Sequence, residues 1–322
     1  MRAVVCQEWG PVDQLVVEER PSPPLGPDDV RVEVTACGVN YVEGLMVQGL
    51  YQLKIPAPFV PGMELVGRIT EVGEAVTDRA VGERVFSSPG TGGYVSEAVV
   101  RADRCVSLPD SLSDGQAATF MQSYLTGWFA LTERIRTTPG QRMLVLGAGG
   151  GVGLAAVDIG TALGLEVYAA ASSPEKLELA RQVGAVALID SSTEDVKERA
   201  KELSGGGVDI VYDPVGGDLG TTCLRALGDE GTFLVIGFVG GIPQLPANQI
   251  LLRNRRVVGV EWGGWAMRNV DRNQALIDEV LALIGEGRLH PVEPTAYPLE
   301  QAGRALRDLA ERKVAGKVVL VP

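Results

Sequence analysis

Gly147-Ala148-Gly149-Gly150-Gly151-Val152-Gly153 is a run of small residues between an apolar segment, Met143 to Leu146, and an apolar-rich stretch that begins at Val152. A turn with so few side chains lets backbone N–H groups and the positive end of the following helix face an anion directly. The spacing Ala148-x-Gly150-x-x-Gly153 is the dinucleotide form of the glycine turn, with Ala in the first glycine place. No Lys-Ser or Lys-Thr pair follows, so it is not a Walker loop. In a Rossmann unit, an acid about twenty residues further on grips the ribose 2′-hydroxyl. Here that place holds Ala171, Ser172 and Ser173, with Lys176 one turn later. Hydroxyls and an ammonium suit a 2′-phosphate, so the pattern predicts NADPH rather than NADH. Ser173 before Pro174 also reads as a helix N-cap, a reading compatible with the first. Glu175 dissents, or only complements the helix dipole. The expected cofactor contacts are Ala148, Gly150, Gly151, Val152, Gly153, Ser172, Ser173 and Lys176.

Other chemistry is largely excluded by what the chain lacks. Its one histidine, His290, precedes a proline and reads as a surface or turn residue. Catalytic triads and His-rich metal sites are thereby set aside. The four cysteines, Cys6, Cys37, Cys105 and Cys223, have no CxxC spacing and read as buried, reduced thiols. A net charge of -12 disfavours nucleic acid and anionic membrane surfaces as partners. Met1-Arg2-Ala3-Val4-Val5-Cys6 reads as a strand rather than an export signal, and no apolar stretch is long enough to span a bilayer. The expectation is a cytoplasmic protein acting on a small molecule.

These residues need elements to hold them. Up to about Leu108 the chain shows short strands separated by Gly and Pro. Val30, Val32 and Val34 alternate with Arg31, Glu33 and Thr35, the period of a half-buried strand. Such a pattern predicts a compact barrel or sandwich. Helices are expected over 114–118 and 123–132. Strands and helices then alternate: strands at 143–146, 166–171, 187–189, 208–212, 232–237 and 256–260, with helices at 152–163, 174–183, 194–203 and 219–226. Alternation with short loops predicts a doubly wound parallel sheet. A helix over 273–284, a helix over 299–312 and a strand over 317–320 close the chain, and this tail is expected to rejoin the first domain. The fold class is α/β, with domains at 1–118, 119–265 and 266–322.

With these pieces assembled, the chain resembles the zinc-free, zeta-crystallin-like quinone oxidoreductases of the medium-chain dehydrogenase/reductase superfamily. The resemblance covers nearly the whole chain. It rests on Cys37-Gly38-Val39-Asn40, Gly49-Leu50-Tyr51, Pro61-Gly62-Met63-Glu64-Leu65-Val66-Gly67, Val72-Gly73, Gly82-Glu83-Arg84-Val85, Gly140-Gln141-x-x-Leu144, the glycine turn and Tyr212-Asp213-Pro214-Val215-Gly216-Gly217. Gly149 stands where the family has Ala or Ser, and Asp158 where it has Gln. Zinc alcohol dehydrogenases of the superfamily place a Cys after Gly-Val and a His after Pro-Gly. Those places here are Asn40 and Met63, which are not zinc ligands. No zinc is therefore expected.

The resemblance implies a GroES-like β-rich catalytic domain, a Rossmann domain, and hydride transfer from NADPH to a quinone or activated enone. It places Asn40 and Tyr51 at the acceptor. Asn40 is also readable as the cap of the next helix, and Tyr51 as a core or lid aromatic. Leu45 stands where the family often has a second tyrosine. Thr126, Gly237 and Phe238 correspond to positions near the nicotinamide. Arg312 corresponds to one that reaches the adenosine phosphate, or is a solvated charge. The tryptophans of Val260-Glu261-Trp262-Gly263-Gly264-Trp265 read as a wall over the acceptor or as hinge packing. A homodimer through a sheet edge near 232–237 is implied by resemblance alone. Two rival functions remain at this level: an enoyl-thioester or enone double-bond reductase, and a non-catalytic NADPH-binding protein.

Overall fold

The computed structural model describes residues 1–322. The chain divides into two compact units, Met1–Phe120 with Val292–Pro322, and Met121–Pro291. In the first unit, β1 (Arg2–Val5) pairs antiparallel with β2 (Val16–Glu19). β3 (Asp29–Val39) follows, then α1 (Tyr41–Val47), β4 (Glu64–Val72), β5 (Arg84–Ser87), β6 (Glu97–Arg101) and β7 (Cys105–Ser107). Val30, Val32 and Val34 face the core, as their alternation requires. From Ala36 to Val39 every residue is buried, because this end of β3 is covered on both faces. Register shifts between Arg31 and Val32 and between Val34 and Ala36 mark bulges, which raise the local twist and curl the sheet.

α2 (Asp114–Trp128) is one continuous helix that ends in a π-helical stretch, Phe129–Arg134. Two separate helices were expected, but Thr119 to Gln122 contain no breaker and Phe120 and Met121 are buried. The second unit then alternates: β8 (Arg142–Leu146), α3 (Gly151–Ala162), β9 (Glu166–Ala171), α4 (Pro174–Gln182), β10 (Ala187–Asp190), α5 (Val196–Ser204), β11 (Val208–Asp213), α6 (Gly217–Cys223), β12 (Leu227–Val235), α7 (Ala247–Leu251), β13 (Arg256–Gly259), α8 (Trp262–Arg268) and α9 (Val270–Gly285). The sheet order is β10-β9-β8-β11-β12-β13, and every pairing is parallel. Counted from β8, this is the doubly wound order 3-2-1-4-5-6. β14 (Thr295–Pro298), α10 (Ala302–Ala310) and β15 (Val318–Val321) return to the first unit, where β15 pairs with β3. No helix is long and apolar enough to cross a membrane.

Two further expectations are corrected. The tail rejoins the first unit at Val292 rather than at residue 266. The reason is α9, whose Leu276, Ile277, Val280, Leu283 and Ile284 form one buried face. Trp128 Nε1 also donates to Glu279 Oε2 of this helix at 2.8 Å. The segment 232–237 is not a sheet edge, because β12 lies between β11 and β13; the free edge is β13.

Candidate functional site

The glycine turn follows β8, and β8 and β11 are the neighbouring strands at which the strand order reverses. In open α/β sheets, ligands bind outside the carboxyl ends of the strands at that point. The geometry explains each glycine separately. Gly147 sits at φ 59, in the left-handed region. A methyl at Gly153 would lie 2.3 Å from Gly147 O, so α3 packs against the strand end only with no side chain there. At Gly150 the nearest atom to a methyl would be Gly147 O at 3.5 Å. There the backbone permits a side chain, and its absence leaves the face over the helix start bare. Gly150 caps α3 with no side-chain hydrogen bond, so no side chain competes at that helix start. These residues fit a pyrophosphate.

Gly149 has a local reason. A methyl on it would meet Lys176 Cβ at 2.3 Å and Cγ at 2.6 Å. The Lys176 stem thus lies across the turn, which accounts for Gly where Ala or Ser was anticipated. Ser173 is the N-cap of α4, with its Oγ accepting from Lys176 N at 3.4 Å, and Pro174 opens the helix. The capping reading of Ser173 holds, and it brings Lys176 to the glycine turn. Ser172 is exposed beside it. In the same unit, Thr126 is half-buried on α2, and Gly237 and half-exposed Phe238 follow β12. Arg312 belongs to the first unit, just after α10, with φ 59.

Asn40 ends β3 and caps α1, and only 4% of it is exposed. Its Nδ2 donates to Glu64 Oε2 at 2.9 Å and lies 3.4 Å from Glu43 Oε1, while Oδ1 accepts from Lys317 Nζ. The Glu43 carboxylate reaches back to the Asn40 backbone N–H at 2.7 Å and also accepts from Met63 N at 3.2 Å. Both amide hydrogens of Asn40 are therefore directed at internal carboxylates, and the expectation that this amide donates to an acceptor is set aside. Tyr51 is half-buried against the first unit's core. Its backbone N–H and that of Leu50 donate to Leu45 O at the end of α1, at 3.2 and 2.8 Å. Burial, then the charge of Glu64, push the Glu43 carboxyl up to about 7, opposed by Lys317. Sequence reading missed Glu43, Glu64 and Lys317. Asn-x-x-Glu at positions 40–43 was the available signal for Glu43.

Residues 26–110 match the model for the alcohol dehydrogenase GroES-like domain, and residues 151–282 that for the zinc-binding dehydrogenase. The chain is 38% identical over 322 residues to quinone oxidoreductase-like protein 2 of Bos taurus, covering 99% of this chain and 92% of the relative. The chain belongs to the quinone oxidoreductase family of the medium-chain dehydrogenases/reductases. It is also 31% identical to the human synaptic vesicle membrane protein VAT-1 homolog, covering 100% of this chain and 86% of that protein. The crystal structure of Escherichia coli quinone oxidoreductase complexed with NADPH matches at TM-score 0.89 and 27% identity, with all of both chains covered.

Asp158, in place of Gln, is buried on α3 and accepts from Tyr124 Oη at 2.7 Å and from His290 N at 2.6 Å. The lone histidine thus ties down its own segment while its ring stays largely exposed. The tryptophans expected in a loop lie on α8. Trp262 Nε1 donates to Asn273 Oδ1 at 2.9 Å, and Trp265 packs on Phe129 with ring centroids 4.6 Å apart. Both rings fasten α8 within the second unit.

Proposed function

We propose that the chain is an NADPH-dependent oxidoreductase that delivers hydride to quinones or related activated enones without a metal. The observation that carries this reading is the bare helix start of α3 with Lys176 laid across its turn. When bound, NADPH supplies the hydride. The N–H groups at the start of α3 take the pyrophosphate, and the Lys176 ammonium with Ser172 selects the 2′-phosphate. Tyr51 is the side chain assigned to the acceptor: its hydroxyl donates to the oxygen on which negative charge develops. Asn40 is buried and holds the start of α1. The Lys317 ammonium on Asn40 Oδ1 favours a metal-free site, because it sets a positive charge against the side chain that replaces a zinc ligand.

A quinone already draws electrons, so positioning and one hydrogen bond suffice for the transfer. Steady-state assay of the purified chain with NADPH tests this. Turnover of 1,4-benzoquinone is expected to exceed that of crotonyl-CoA. Exclusive use of the thioester would shift the assignment to an enoyl-thioester reductase, and no turnover of a broad quinone and enone panel would leave an NADPH-binding protein. For assembly, the outer strand β13 exposes Val257, with Leu251 and Leu252 exposed ahead of it. Two copies pairing this edge about a twofold axis would continue the sheet and cover those residues, and we infer a homodimer of that kind.

A further inference from the structure

The first unit holds a cluster of charged groups that neither cofactor binding nor Tyr51 uses directly. Glu43 and Glu64 are 0% and 3% exposed, and both face the amide of Asn40. Two neighbouring carboxylates out of water need a compensating charge. Lys317, half-buried ahead of β15, brings its ammonium onto Asn40 Oδ1 and is the cation that acts on Glu43. The other ionisable groups facing the cluster are Tyr94 and Cys37, both 0% exposed. Asn40 in turn starts α1, and the last turn of α1 accepts from the backbone N–H groups of Leu50 and Tyr51. A continuous path of hydrogen bonds and one short helix thus runs from Lys317 to Tyr51.

We propose that Lys317 is a positioning residue: by holding Asn40 and balancing Glu43 and Glu64, its ammonium fixes the start of α1 and, through that helix, the backbone of Tyr51. The consequence for turnover rests on the assignment of Tyr51 to the acceptor. Ionised Glu43 accepts more strongly from the Asn40 and Met63 N–H groups than its protonated form, so the start of α1 tightens as Glu43 loses its proton. Activity therefore rises through neutral pH.

The test uses the full chain as Lys317→Met, Lys317→Arg and Glu43→Gln. Amide hydrogen exchange is followed at Leu50 and Tyr51, and the pH profile of kcat/KM is measured with NADPH and 1,4-benzoquinone. Lys317→Met is expected to speed exchange about tenfold or more and to move the neutral rise in kcat/KM upward by about one pH unit or more. Lys317→Arg restores both, and Glu43→Gln abolishes the rise. Unchanged exchange and an unchanged midpoint in Lys317→Met overturn the proposal. Faster exchange combined with a Tyr51→Phe variant of undiminished kcat/KM supports the positioning role and sinks the assignment of Tyr51. If Lys317→Met does not fold, a Glu43→Gln profile that keeps its neutral rise overturns the proposal instead.

Discussion

Gly153 and Lys176 carry the cofactor reading at opposite ends of the glycine turn, and they fail differently. A methyl at Gly153 would press on backbone, the carbonyl of Gly147, which has nowhere to retreat. Gly153→Ala is expected to cost about 1–3 kcal/mol of stability and to abolish NADPH binding, read by urea unfolding and titration calorimetry. Lys176 contributes charge at its tip. Lys176→Ala is expected to raise the NADPH dissociation constant about 10- to 100-fold and to leave NADH unchanged; equal losses for both coenzymes would contradict the 2′-phosphate assignment. Tyr51→Phe should lower kcat/KM for 1,4-benzoquinone about 100-fold without weakening NADPH. The glycine spacing was legible because backbone access to phosphate requires small residues at fixed positions. The reason for Gly149 was hidden, since it lies in a contact with Lys176. The partners of Asn40 were hidden for the same reason, since Glu64 and Lys317 stand 24 and 277 residues away.

At the level of elements, alternation of apolar strands and helices fixed the parallel sheet, while edges and junctions depended on packing that no local pattern records. The helix over 273–284 was visible, but its allegiance was not: its buried face is satisfied inside the second unit. α8 escaped notice because Gly263 and Gly264 are poor helix formers. Its caps and rings compensate: Glu261 Oε1 accepts from Gly264 N at 2.6 Å, and Trp265 packs on Phe129. Trp265→Ala should therefore cost about 1–3 kcal/mol, visible as a lower urea midpoint. The strand taken for an edge was one place too early. β13 is outermost, so Val257→Lys is expected to convert a dimer into monomers in light scattering, because a charge on an edge strand opposes pairing. A wild-type monomer would remove the inferred dimer outright.

For the molecule as a whole, the buried carboxyls decide how stability follows pH near neutrality. Glu43 has an ordinary value of 4.5 and is pushed up to about 7 in the fold. Between those values the folded chain holds a proton that the unfolded chain has released. Stability must then fall as pH rises through this window, because burial of the ionised carboxylate outweighs the stronger hydrogen bonds it accepts at the start of α1. Asp158 and Asp213 in the other unit are also raised, by burial, and act in the same direction. The lowered carboxyls Glu97, Asp103, Glu178, Asp190, Glu198 and Glu279 all accept hydrogen bonds from neighbouring side chains. Their contribution changes only below the ordinary carboxylate range, so it leaves the window above 4.5 to the buried groups. The net charge of -12 at pH 7 adds self-repulsion of the same sign. Urea unfolding at pH 5 and pH 7.5 should show the chain losing stability relative to its Glu43→Gln variant by about 3 kcal/mol at most. A difference that grows in favour of the wild type with rising pH would mean that Glu43 is ionised in the fold well below neutrality, and that Lys317 more than offsets its burial.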